Sequence, residues 1–133
     1  MQGFVRFHKG LWRLSWPLKL WLLGLFSANA VVPVIFLNHV EAQFVLGALL
    51  AGVCLMSLLT SHFGFTRILG LGHLPWLPLL AWLVFRLESI PAEDVFGLWI
   101  RGVLLINSVS LLLDVADVVR YAIGDRKELV HGL

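Results

Sequence analysis

The chain has 133 residues, of which 59% are hydrophobic and only 14% charged, against a usual share of roughly 45–50% apolar and about 25% charged. A water-soluble domain of this length has too little interior to hide so much apolar surface, and the apolar residues come in long blocks, as membrane spans do. The net charge of +2 is carried by cations that flank the apolar blocks and form no basic face, which argues for membrane topology and against nucleic acid as a partner.

Four spans are expected, making an all-α integral membrane protein, a four-helix transmembrane bundle in one domain over residues 1–133. They cover approximately residues 16–37, 42–63, 68–87 and 96–121, each long enough at 1.5 Å per residue to cross a core of about 30 Å. The first follows a basic N-terminus and contains Ala28-Asn29-Ala30, which imitates a signal peptide. Its apolar run continues through Val31 to Leu37, so an uncleaved helix is expected, with Pro33 tolerated near its far end. Trp12, Trp16 and Trp21 stand near its start, where an amphipathic ring anchors at the headgroups.

The second span reads as a packing helix. Gly47, Ala48, Ala51 and Gly52 form two small-xxx-small pairs, and small residues let helix backbones approach closely in lipid. They suit either an oligomer face or ordinary contact within the chain. Cys54, the single cysteine, lies in the same span and excludes an intrachain disulfide or a CxxC zinc site.

The third span is irregular, reading RILGLGHLPWLP over residues 67–78. It is expected to be short or broken at Gly70–Pro78. A helix starting near Leu74 would place Pro75 and Pro78 in its first turn, where the missing N–H groups have no partner anyway. A span starting near Ile68 would break there and expose backbone polar groups at membrane depth, as helices lining transport sites do.

On the fourth span Asn107, Ser110, Asp114, Asp117 and Tyr121 are spaced 3, 4, 3 and 4, one polar stripe along a helix. Asp117 and Arg120 are three apart and positioned to pair. Asp114 has no basic neighbour at that spacing. It must be protonated, hydrated or partnered from another helix, with His73, Arg67 and His62 as candidates. Asn29 is placed to meet Asn107 near the midplane.

Arg6, Lys9, Arg13, Lys19, Arg67, Arg120, Arg126 and Lys127 fall on one side of these spans, Arg86 and Arg101 on the other. The positive-inside rule then puts both termini in the cytoplasm, in a multi-pass protein of the cell inner (plasma) membrane. His39, Glu41, Glu88, Glu93 and Asp94 border the outer turns, an acidic rim expected to be solvated.

No motif for a hydrolase, metalloprotease, nucleotide-binding loop or haem is present, so no enzyme, no metal and no cofactor are expected. Two functions fit. The first is an oligomeric channel or carrier for protons or small cations, with Asn107, Asp114, Asp117, Arg120 and His73 along its path. The second is a non-catalytic accessory or assembly subunit of a larger membrane complex. Both make the bilayer a partner, together with further copies or other subunits.

Overall fold

The computed structural model describes residues 2–127 and 129. All regular structure among them is helical, without strands. The elements are α1 (Gln2–Trp12), α2 (Trp16–Ile35), α3 (Val40–Phe63), a 3-10 helix (Arg67–His73), α4 (Trp76–Arg86) and α5 (Val95–Ala122). Helices α2, α3 and α5 are each long and apolar enough to cross a membrane. The 3-10 helix and the Trp76–Ser89 segment meet at a bend of 41° and supply a fourth crossing if the pair is counted as one span. The expected break in the third span is therefore present, and it consists of tighter helix bent against α4.

Large apolar side chains point outward, with Phe85, Leu105 and Leu112 at 86%, 70% and 72% exposure. Water would penalise such a surface, whereas hydrocarbon does not. Inside, Leu25, Ala42, Val45, Leu79, Leu83, Ile100 and Val103 join α2 to α5 in one core. A second, smaller cluster of Phe7, Phe65 and Leu69 lies under α1.

Helix α1 was not anticipated as an element. At 11 residues it reaches only about 16 Å and cannot span a bilayer. It lies instead against the C-terminal part of α3. Gly3 is pressed on the Ser57 carbonyl and Gly10 on the Phe65 ring, close enough that a Cβ at either would collide.

Two breaks set the path of the chain. Gly64, at φ 77°, ends α3 in backbone that other residues rarely adopt and gives its N–H to the Thr60 carbonyl at 2.9 Å. Pro75 precedes α4 and Pro78 stands in its first turn, so neither ring removes an intrahelical hydrogen bond. Helix α5 opens on Asp94, whose Oδ1 accepts from the Gly97 N–H at 2.8 Å, a side-chain cap for an otherwise unpaired donor.

Within α2, residues Ser27–Val31 form a π-turn. The Val32 N–H bonds back to the Ser27 carbonyl. In that register the Ala28 carbonyl should receive Pro33, which has no N–H. The Trp99 indole of α5 donates to it instead, at 2.8 Å.

Candidate functional site

The site is assembled where the 3-10 helix is wedged between α3 and α5, and its glycines permit the wedge. A Cβ on Gly70 would stand 2.8 Å from the Asp114 carbonyl oxygen, and one on Gly72 would strike the Met56 side chain. Gly52 of α3 faces the Gly72 carbonyl, which a Cβ would approach to 2.9 Å. Backbone thus meets backbone on both sides of Gly70–Gly72, and the segment delivers Arg67 and His73 to the polar stripe of α5.

His73 Nδ1 and Asp114 Oδ2 lie 2.5 Å apart, each side chain 17% exposed. The two side chains are within hydrogen-bonding distance across the two segments. The His73 ring stacks on Trp76 at 4.0 Å and 10°, which fixes its plane. Of the candidate partners for Asp114, His73 meets it, because the 3-10 helix runs inward along α5.

Toward the end of the bundle Arg67 Nη1 donates to Asp117 Oδ1 at 2.7 Å and Arg67 Nε to Asp125 Oδ2 at 3.2 Å. Arg120 Nη2 donates to the same Asp125 oxygen at 2.8 Å. The local pair expected between Asp117 and Arg120 is therefore replaced by two longer-range pairs. Arg67 offers Asp117 a less exposed guanidinium than Arg120 does, 17% against 52%, and a less hydrated partner attracts more strongly. Partial desolvation of Asp125 raises its carboxyl, but the Arg120, Arg67 and Lys127 cations outweigh that and hold it below its ordinary value.

Deeper along α5 the ladder ends in a sealed pair. Asn29 Nδ2 donates to Asn107 Oδ1 at 2.9 Å and Asn107 Nδ2 to Asn29 Oδ1 at 2.8 Å, with both residues fully buried. The Asn29 amide also donates to the Leu25 carbonyl at 3.0 Å. Between the two pairs sits Ser110, 3% exposed, its buried hydroxyl without a hydrogen-bond partner. Tyr121 does not prolong the ladder: its ring packs edge-on to Phe63 and carries the Arg126 guanidinium 5.0 Å above it.

The small residues of α3 divide between two surfaces. Gly52 is buried against the 3-10 helix and Ala48 is half-buried beside the core, whereas Gly47 and Ala51 face outward. The acidic rim also needs correction. Glu41 is 5% exposed and accepts from Arg86 Nη2 and Nε at 2.8 Å, while Glu88, Glu93 and Asp94 are exposed. Among the described residues no group of three or more His, Cys, Asp or Glu side chains is gathered as a metal would require.

Two contacts of the site have no signal in the spacing of the sequence. Arg67 was one of three candidates for Asp114, yet it organises Asp117 and Asp125. Trp99 gave no sign of reaching α2. A helical repeat for α1 was readable in Phe4, Phe7 and Leu11, with Arg6 and Lys9 between them.

The fold and site define an all-helical protein with several helices long and apolar enough to span a membrane, in keeping with a multi-pass protein. Comparison with known proteins adds no particular identity: no protein family, curated protein or solved structure matches the chain.

Proposed function

We propose that the protein moves protons or small cations across a cell inner membrane, with both termini cytoplasmic, using the ladder on α5. The observation that carries this reading is the His73–Asp114 contact at 2.5 Å. An imidazole and a carboxyl in hydrogen-bonding contact inside a membrane domain are what relays use, because each group accepts or releases a proton with little motion. Asp117, Arg67 and Asp125 connect that pair to the end of the bundle where eight of the ten cations fall. That end is the cytoplasmic one by the distribution of lysine and arginine. Beyond Asn107 the interior of one chain is filled by apolar core, so a complete path requires association with further copies.

The test is proton flux into proteoliposomes that enclose a pH-sensitive dye, under an imposed membrane potential. Native protein should conduct. Asp114→Asn keeps the shape and deletes the titration, and should lower flux by about tenfold or more, the scale of a lost proton-transfer group. Absence of flux in the native protein under either potential overturns the reading.

The same apolar plug supports the second reading, a non-catalytic accessory or assembly subunit, since each acid of the ladder already has a basic partner within the chain. Copurification with other membrane subunits, and no closed homo-oligomer, would favour it.

A further inference from the structure

Helix α1 turns three faces to three surroundings. Gly3, Phe7 and Gly10 are buried on the protein. Phe4, Val5 and Trp12 stand out from it, 48%, 43% and 77% exposed, and Arg6, Lys9 and Arg13, spaced 3 and 4, line the remaining flank. Two contacts fix the level of α1 in the bundle. Gly3 meets Ser57 and Ser61 within span α3, whereas Gly10 meets Phe65, just beyond the end of that span at Phe63. Helix α1 therefore runs beside α3 toward the same end, and Lys9, Trp12 and Arg13 emerge where α3 leaves the hydrocarbon. We propose that the basic flank of α1 is a binding site for an anionic phospholipid, its phosphate on Lys9 and Arg13 and one acyl chain against Val5.

Charge selects an anion. The first carboxylate of the sequence is Glu41, so neither α1 nor α2 carries an acid to neutralise Arg6, Lys9, Arg13 and Lys19. The carboxylates of the polar site at this end are engaged elsewhere, Asp117 and Asp125 by Arg67 and Arg120 and Asp114 by His73. Among the described residues Lys9 and Lys19 make no ion pair. Arg13 is exposed, and a guanidinium with five donors has room for a phosphate beside its contacts within the chain.

Shape selects a lipid among anions. A shallow groove of about 330 Å³ is bounded by Gln2, Val5, Arg6 and Lys9, and its lining is almost wholly apolar. The alkyl stems of the two cations thus form its floor with Val5, and their charged ends stand clear of it. Val5 and Lys9 are four apart, so the apolar contact lies directly beneath the ammonium. A soluble polyanion would satisfy the cations and leave Phe4, Val5 and Trp12 in water, whereas a lipid supplies both phosphate and hydrocarbon. Only residues 13–15 separate α1 from the spanning helix α2, which holds the flank at the bilayer surface.

The full chain in phosphatidylcholine nanodiscs tests the site, with a trace of phosphatidylglycerol that carries a photoactivatable group on one acyl chain. Peptide mass spectrometry should find the label concentrated on residues 2–9. It should exceed the yield from phosphatidylcholine bearing the same group by about fivefold for each cation engaged, the scale of one basic residue at an anionic surface. Lys9→Gln should lose one such factor and Lys9→Arg none, at an exposed position whose change leaves the core intact. Salt at about 1 M should erase most of the preference without any variant, because screening then acts within about 3 Å. Equal labelling by the two lipids, label spread evenly along α2, α3 and α5, or an undiminished preference in Lys9→Gln overturns the site. Capture of polyglutamate by the chain in phosphatidylcholine, with no preference between lipids, would assign the cations to an acidic protein and overturn it as well. None of these readouts depends on proton translocation.

Discussion

At the end that holds Glu41 and Arg86, helices α2 to α5 meet through Leu25, Val45, Leu83, Ile100 and Val103, with one salt bridge at the rim. At the opposite end the 3-10 helix meets α5 through Arg67, His73, Asp114, Asp117 and Asp125, with glycine backbone where apolar side chains would otherwise stand. The first half is held by shape, since dispersion between interdigitated side chains is what remains once lipid removes the hydrophobic drive between helices. The second adds, to the small cluster of Phe7, Phe65 and Leu69, a few directional pairs on a segment whose 3-10 hydrogen bonds are themselves poorer than α-helical ones. Packing of the first kind resists motion, and polar pairs of the second kind exchange partners and protons.

The contrast is sharpest where a single side chain is removed. Leu83→Ala, at a position with no exposure, should cost about 3 kcal/mol from the cavity and lost contacts, read as a shift in unfolding by denaturing detergent, and the cost should not vary with pH. A loss below about 1 kcal/mol would mean that the apolar half is loosely packed.

Arg67→Ala should cost less, about 2 kcal/mol, since partial exposure discounts the full penalty of stranding buried charges. Its signature is different: Asp117→Asn in the same chain should recover part of the loss, because it removes the stranded carboxylate, whereas Asp125 keeps Arg120. Strict additivity in that comparison would show that Asp117 does not depend on Arg67.

What the sequence disclosed follows the same division. Apolar blocks announce spans by length alone, so α2, α3 and α5 were legible to within a few residues, as was the break around Gly70–Pro78. The stripe on α5 was legible because it repeats within one helix. Its partners were not, because spacing along a helix reports neighbours three or four residues away and is blind to a second segment. That is why Asp117 was paired with Arg120, while the structure gives it Arg67 from 50 residues earlier in the chain. The π-turn had a cue in Pro33, but a proline shows only that an N–H is missing and not which carbonyl is left over or what reaches it.

The smallest effect lies at the edge of the polar half. Cations hold the Asp125 carboxyl below its ordinary value, so its contribution is complete above the unfolded-state value and is lost as pH falls through the lowered one. Melting temperatures of the native protein and of Asp125→Asn should therefore differ by a constant amount from pH 8 to pH 5 and converge below about pH 4. A difference that changed between pH 8 and pH 5 would mean that another group is being read.

The π-turn of α2 has a consequence for how the chain tolerates changes of length. A wide turn of this kind holds one residue more than the regular helix would, and the helix beyond it keeps its phase. A chain shorter by one residue between Ser27 and Val31 would then still turn Leu25 and Pro33 toward the interior. The same deletion in the middle of α3 would rotate all that follows by about 100°, carrying Ser57 and Thr60 out to lipid. Loss of one residue should therefore be tolerated better in the π-turn of α2 than in the middle of α3, because only there does the helix beyond keep the same side facing in.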